Sequence, residues 1–332
     1  MVKFFQTDEK LYMAQLQGFR EKCWVDMINP TDDEVEDIVA LTGIPEEMIK
    51  AALDEEETAR VEIDEGNSMF LVDTPIMRDT EEGDSYETLP IAIIFNEKCI
   101  VTVSLHGNAI LGDFISNRIK ADTSKPVFFL LNFMMGNAKK FLSYLRQIDK
   151  KSLRVQAELH RSMKNKELIQ LLELENSLVY FSTSLSSNMR VYGRVKKLKP
   201  VTDIEEYQDL YEDVIIENTQ AIEMCNIYRN ILKDTMDAFA SVISNNMNVV
   251  MKLLTIVTLI ISVPTLIASL WGMNVPVPFE GTEWGFWVIV AATAVVTAVV
   301  GIVIFRTTAS NKIESNKTIK RVRGRKYGGR KD

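Results

Sequence analysis

The chain is poor in the residues that build stapled or metal-centred folds. Its 332 residues include three cysteines and two histidines. Cys23, Cys99 and Cys225 are widely spaced, which excludes a disulfide scaffold and fits a reducing compartment. His106 and His160 stand alone, and no Cys/His cluster suggests a structural zinc site. Neither a glycine-rich phosphate loop nor a nucleophile elbow is present, so an enzyme is not expected. Residues 1–13 contain no long apolar stretch, so no signal peptide is expected. Apolar residues make up 46% and charged residues 25%, which excludes collagen-like and wholly disordered chains.

Charge is also missing from two particular places. Residues 253–273 and 286–305 carry no charged side chain, and the segment between them has Glu280 and Glu283 but no Lys or Arg. The tail 306–332 holds ten basic residues against Glu314 and Asp332, for a net +8. The chain as a whole is −8, which leaves −14 on residues 1–252. An acidic body therefore precedes two apolar spans, Leu253–Trp271 and Phe286–Phe305, and a basic tail follows them. A bilayer core about 30 Å thick needs roughly 20 helical residues, and both spans qualify. Lys252, Arg306 and Lys312 flank the spans while the connecting loop has no basic residue, so both termini are expected in the cytoplasm. The basic tail then suits anionic lipid headgroups, and no nucleic-acid partner is expected.

Glycine and proline are absent from 137–192 and from 201–263. The first stretch predicts two helices with a break near 161–165. The second predicts one helix from about 203 to 271, roughly 100 Å long at 1.5 Å per residue. Tyr211, Ile215, Ile222, Ile227, Ile231, Met236, Phe239 and Val242 suit a packed stripe on it. Between the two stretches, 193–200 reads as a basic linker. The first 125 residues read as mixed α/β. Cys23–Met27 is a candidate strand, and Thr31 with Glu34 has capping-box spacing for a helix ending near Gly43. Pro45 suits the first turn of the next helix. Ser68–Met77 and Leu89–Ser104 read as strands, with turn residues at 82–85 and a hairpin break at 96–98.

The first span carries Thr255, Thr258, Ser262, Thr265 and Ser269 at spacings of 3, 4, 3 and 4. At about 100° per residue they fall within about 80° of one helical face. Lipid has no use for such a stripe. It can line a helix–helix contact, or it can line a watery path on the axis of an oligomer. Two spans cannot enclose a pore alone, so the second reading requires several copies. Pro264 should bend this span. The span ends in Trp271-Gly272-Met273-Asn274. Asn274 offers an amide oxygen that can hydrogen-bond the waters of a hydrated cation, and Mg²⁺ gives up its waters reluctantly.

With these motifs in this order, the chain resembles the CorA-type divalent-cation (magnesium) transporter family. The resemblance rests on residues 248–255, Pro264–Ala268, Trp271–Asn274, the short loop, the second span and the basic tail. Cys23–Asp26 followed by Asn29-Pro30, and the run 174–181, extend it upstream. It implies a homopentameric funnel, with an α/β N-terminal cytoplasmic domain, a long helical stalk and two C-terminal transmembrane helices. The implied layout is a cytoplasmic α/β domain at 1–125, a helical region at 126–200 and a stalk at 201–252. A pore-lining helix at 253–273, an external loop at 274–285, a second helix at 286–305 and a basic cytoplasmic tail at 306–332 complete it.

The resemblance further implies that Gly272, Met273 and Asn274 select hydrated Mg²⁺ at the outer mouth, with Co²⁺ or Ni²⁺ as possible further cargo. Asn248 would sit near the inner end of the pore, and the aliphatic constriction maps to Met251 and Leu254. Thr258, Ser262, Thr265 and Ser269 would line the path. Ser262 stands where many relatives carry a large apolar residue. Cytoplasmic Mg²⁺ would close the pore by bridging carboxylates of neighbouring subunits, with Asp209 and Asp213 as candidates. Two other readings stand beside this one: the family's zinc-transporting branch, which couples to protons in some members, and a membrane-tethered sensor without transport.

Overall fold

The computed structural model describes residues 1–80, 83–162, 165–273, 282–304 and 306. Asn274, the rest of the loop to 281 and the basic tail from 307 lie outside the described residues. The chain forms two compact units, Met1–Asp237 and Ala238–Asp332.

The first unit is built on a seven-stranded sheet. Its strands are β1 (Val2–Thr7), β2 (Met13–Leu16), β3 (Cys23–Ile28), β4 (Arg60–Asp64), β5 (Asn67–Thr80), β6 (Gly83–Phe95) and β7 (Cys99–Ser104), in the order β2-β1-β3-β7-β6-β5-β4. All neighbours are antiparallel except β3 and β7. That exception follows from composition. Parallel neighbours are covered on both faces and read as continuous apolar runs. Here β3 is Cys-Trp-Val-Asp-Met-Ile and β7 is Cys-Ile-Val-Thr-Val-Ser, and all but Ile28 are buried.

Local chemistry sets the first helices. In α1 (Asp32–Thr42) the Thr31 hydroxyl accepts the N–H of Glu34 at 3.3 Å, and the Glu34 carboxylate accepts the N–H of Thr31 at 3.0 Å. The helix stops at Gly43, whose φ of 78° is the left-handed conformation glycine adopts without strain. Pro45 differs from expectation by one position: it caps α2 (Glu46–Lys50) rather than entering its first turn.

The β5–β6 hairpin is longer than the turn residues suggested, because Gly83, Asp84 and Ser85 already belong to β6. The extension is held by Arg78 on β5, which pairs with Glu87 on β6 at 3.2 Å. The break at 96–98 is real: the Asn96 side chain accepts the N–H groups of Lys98 and Cys99 and turns the chain from β6 into β7.

The sheet has one core on each face. On one, α1 and α2 cover Val25, Met27, Leu71, Ile94 and Val101. On the other, α3 (Ala109–Ile115), α4 (Pro126–Ser162) and α5 (Asn165–Val195) enclose an aromatic cluster around Trp24, with Phe5, Phe114 and Phe129 at ring separations from 5.0 to 6.4 Å. The expected linker at 193–200 is mostly helix. Val195 is buried and carries α5 past Gly193, and α6 (Lys199–Asp203) starts with Pro200 in its first turn.

The long helix α7 spans Glu205–Trp271, 67 residues. Its packed seam differs from the expected stripe. Tyr207, Tyr211, Val214, Asn218, Ala221, Cys225 and Leu232 are buried, whereas Ile227 and Ile231 are 54% and 50% exposed. Two side-chain hydrogen bonds tie this seam to α5. The Asn218 amide donates to the Leu185 carbonyl at 3.4 Å, and the Cys225 thiol donates to the Leu178 carbonyl at 3.2 Å. Both steps are seven residues long, the repeat of a helix–helix seam.

Candidate functional site

The second unit contains the end of α7 and α8 (Gly285–Ile304), the two helices long and apolar enough to cross a membrane. Their most apolar 18-residue windows are 0% buried. Trp271 closes the first span, and Trp284, Phe286 and Trp287 open the second, which places aromatic residues on both sides of the connecting loop. Lys252 and Arg306 flank the opposite ends. Aromatics at one boundary and cations at the other match the two interfaces of a bilayer.

The structure brings the expected pore residues onto one face of α7. Asn248, Met251, Leu254, Thr258, Ser262, Thr265 and Ser269 are all exposed. At about 100° per residue they fall within an arc of about 120°. The hydroxyls are oriented by the helix itself. Thr255 donates to the Met251 carbonyl at 2.9 Å, Thr258 to Leu254 at 2.9 Å, Ser262 to Leu259 at 3.0 Å and Thr265 to Ile261 at 2.8 Å. A hydroxyl oxygen that spends its hydrogen on the backbone keeps its lone pairs. The face therefore offers neutral acceptors, which suit the hydrogens of a cation's water shell.

The opposite face of α7 meets α8. Ile260, Pro264, Ala268 and Trp271 line an apolar groove with Phe286, Val290, Thr293, Ala294, Thr297 and Ala298. The small residues on α8 allow close packing. Thus the hydroxyl stripe points away from the chain's own second span. Contact with α8 does not account for it, and this direction is the feature that sequence periodicity alone does not give. Pro264 removes the partner of the Ile260 carbonyl without ending the helix.

The first span closes on Gly272, whose N–H donates to the Ala268 carbonyl at 2.9 Å. A Cβ at this glycine would stand 3.1 Å from the same carbonyl oxygen, so a side chain would force the helix end to shift. Met273 is 53% exposed, and Asn274 lies outside the described residues.

In the first unit, Asp209 and Asp213 lie one turn apart on α7, exposed and without an ion pair among the described residues. Among the described residues no three His, Cys, Asp or Glu side chains converge as metal ligands. The strongly perturbed carboxylate is elsewhere. Asp26 on β3 is 2% exposed, and burial pushes its pKa up to about 6 against the opposing effects of the Thr102 hydroxyl and Lys3. Thr102 donates to Asp26 at 2.9 Å and accepts the indole N–H of Trp24 at 2.8 Å, so this acid is tied into the aromatic core.

Comparison with known proteins follows the same lines. The cobalt/magnesium transport protein CorA of Methanocaldococcus jannaschii is 28% identical over 321 residues, covering 90% of this chain and 94% of that protein. The complete structure of the CorA magnesium transporter from the same organism superposes with a TM-score of 0.77 at 25% identity, over 92% of this chain and 97% of that one. The cytoplasmic domain of ZntB from Vibrio parahaemolyticus gives a TM-score of 0.56 at 12% identity, over 74% of this chain and 97% of that one, a likeness of fold alone. The family model described as CorA-like Mg²⁺ transporter protein matches residues 20–306, which takes in β3 to β7, α7 and both spans. The CorA proteins are transporters rather than enzymes, and the chain, with its two candidate C-terminal spans, belongs to the CorA-like Mg²⁺ transporter protein family.

Proposed function

We propose that the chain is a channel for Mg²⁺, with Co²⁺ as a second cargo, selecting the hydrated ion at Gly272-Met273-Asn274. The observation that carries this reading is the direction of the hydroxyl stripe, away from α8 and without a partner in the chain's own second span. Several copies around an axis would turn these stripes into one lumen of neutral oxygens, and we take the assembly to be a homopentamer. Asn274 would then present a ring of amides at the outer mouth. Asn248 would lie near the inner end, with Met251 and Leu254 as the aliphatic constriction. Ser262 continues the polar wall above it. Both termini would be cytoplasmic, from the cations at 252 and 306, and the tail would lie against anionic headgroups. On this reading 201–252 is stalk and 274–285 is external loop.

Regulation by cytoplasmic Mg²⁺ is part of the proposal. The donors available, exposed carboxylates at 209 and 213, suit a hard cation. With no three-ligand cluster among the described residues of one chain, a bound ion would need a further ligand from a second copy. Bound between copies, it would favour the closed arrangement by its differential affinity. The testing experiment is flux into liposomes holding the purified protein, with Mg²⁺, Co²⁺, Ni²⁺ and Zn²⁺ compared at fixed pH and across a pH gradient. Mg²⁺ uptake that saturates and falls as internal Mg²⁺ rises is expected, with weaker inhibition in Asp209→Lys or Asp213→Lys. Zn²⁺ uptake that exceeds Mg²⁺ uptake and follows the proton gradient would assign the zinc branch. No flux of any ion would leave the tethered sensor.

A further inference from the structure

Two of the three cysteines, remote in sequence, meet in the sheet. The same tripeptide opens both central strands: Glu21-Lys22-Cys23 leads into β3 and Glu97-Lys98-Cys99 into β7. The parallel ladder pairs Cys23 with Cys99 in register. Residues paired in register project to the same face, and both thiols belong to the core covered by α1 and α2. Both are free, at 0% and 2% exposure. Each nevertheless follows directly on an exposed Glu-Lys pair, and the N–H of Lys22 donates to the Lys98 carbonyl, so the two entry turns are bonded to each other. The Cys99 thiol donates to the Asn96 Oδ1 at 3.9 Å, a contact within its own entry turn, and the third thiol lies elsewhere. Cys225 is engaged with the Leu178 carbonyl in the α5–α7 seam.

The geometry lies at the edge of what a disulfide tolerates. Neighbouring strands run about 4.7–4.9 Å apart. A disulfide accepts Cα separations of roughly 4.4–6.8 Å but wants its Cβ atoms about 3.5–4.5 Å apart. Bridging this pair draws the strand ends together slightly, and a bond closed under such strain is readily reduced. It would serve as a reversible modification, not as a staple. Burial keeps the pair quiet in the closed fold: the Cys99 thiol is pushed up to about 12, and Cys23 is raised against the opposing effect of backbone amides at Arg20 and Cys23. Reaction therefore waits on local opening of the two entry turns, the kind of low-energy opening that chain segments near solvent undergo.

We propose that Cys23 and Cys99 form a redox-modification site that closes to a cross-strand disulfide when a hydroperoxide reaches the opened turns. The Cys23 thiolate attacks one peroxide oxygen, the O–O bond breaks, and the departing hydroxide takes up a proton to leave as water. The Cys99 thiolate then attacks the sulfur of the resulting sulfenic acid. The S–S bond forms, the S–O bond breaks and a second water leaves. Two thiols lose two electrons, and one hydrogen peroxide is reduced to two waters. The product ties together the two parallel strands at the centre of the sheet.

The test uses the full chain in detergent micelles. It is exposed to hydrogen peroxide, quenched by alkylation after denaturation, and digested without reductant for mass spectrometry. The expected result is a Cys23–Cys99 cross-linked peptide that disappears on treatment with dithiothreitol, with Cys225 recovered in alkylated form. Cys23→Ser and Cys99→Ser should each abolish the cross-linked peptide, and Cys225→Ser should retain it. Because the Cys225→Ser chain keeps both partners, it also guards against misreading a folding defect in the other two. Recovery of Cys23 and Cys99 as free thiols under conditions that oxidise the denatured chain, or disulfides only between separate chains, would overturn the proposal.

Discussion

The two units dispose of the same residue types in opposite ways. In the first, every residue of β7 is buried, and Ile, Val and Phe side chains meet each other across the sheet. In the second, spans made of the same aliphatic residues bury nothing in their most apolar windows. Water makes the difference. Burial of apolar surface stabilises a chain only when the alternative is contact with water. A span in lipid already has an apolar neighbour, so its packing is decided by small residues and polar contacts. A single helix shows both regimes. Between 207 and 232, α7 buries a seam in the first unit, against Phe128 of α4 at Tyr207 and against α5 at Asn218 and Cys225; between 255 and 269 it turns hydroxyls outward on one face and meets α8 on the other.

The comparison predicts that function and folding can be broken separately. Asn274→Ala should abolish Mg²⁺ flux in liposomes while leaving assembly and thermal unfolding of the first unit unchanged. Asn274→Asp should bind cations more tightly and discriminate among them less, because like charges crowd one mouth. Wild-type flux in the alanine variant would remove Asn274 from the selectivity site.

Next in size is the cost of a cavity. Phe129 is 0% exposed and packs on Trp24 and Phe114. Phe129→Ala should cost about 3–5 kcal/mol. Leu266 in the span is 62% exposed. Leu266→Ala should cost within about 0.5 kcal/mol, as for an exposed position. Thermal unfolding followed by circular dichroism checks both, and equal losses would mean that the spans are packed like the sheet.

What could be read from sequence follows the same division between local and remote. The capping box at Thr31 and Glu34 and the length of α7 depend on neighbours within a few residues, whereas the expected break near 161–165 falls at 163–164, outside the described residues. The hydroxyl stripe was legible because a helical face is a local period. The edge strands β2 and β4 escaped, and so did β1, the neighbour of β2. Val2–Thr7 mixes charge with aromatics, and Met13–Leu16 and Arg60–Asp64 are short and largely exposed. Ile227 and Ile231 misled because hydrophobicity does not report which side of α7 lies close enough to α5 for Asn218 to reach a carbonyl. The pairing of Cys23 with Cys99 depends on a parallel register set by the whole sheet.

Asp26 tests the first unit from its polar side. Its folded pKa of about 6 lies above the ordinary carboxylate value, so the folded state holds its proton more tightly than the unfolded chain does. The contribution to stability is complete below about pH 4 and is lost as pH rises through 6, up to about 2–3 kcal/mol. Asp26→Asn keeps an oxygen to accept from Thr102 and removes the charge. The variant should unfold at a higher temperature than wild type at pH 7.5 and at nearly the same temperature at pH 4. A loss of stability at both would show that the charged form is used, with Lys3 on β1 as its partner.

The smallest effect expected is a difference in rate between two faces of one helix. In a chain lacking Cys23, Cys99 and Cys225, single cysteines at 258, 262, 265 and 269 sample the hydroxyl face, and cysteines replacing Ile260 and Ala268 sample the face that meets α8. A charged, water-soluble thiol reagent attacks only a thiolate, and a thiolate forms only where water reaches it. If the hydroxyl face lines water, its cysteines should react about tenfold faster than those facing α8 or lipid. The contrast depends on assembly: in dispersed single chains the hydroxyl face lines no lumen and detergent covers it, so the ratio should collapse in a detergent that separates the copies. Equal rates in the assembled protein would mean that the stripe is buried between helices, and the case for a lumen along α7 would fall with it.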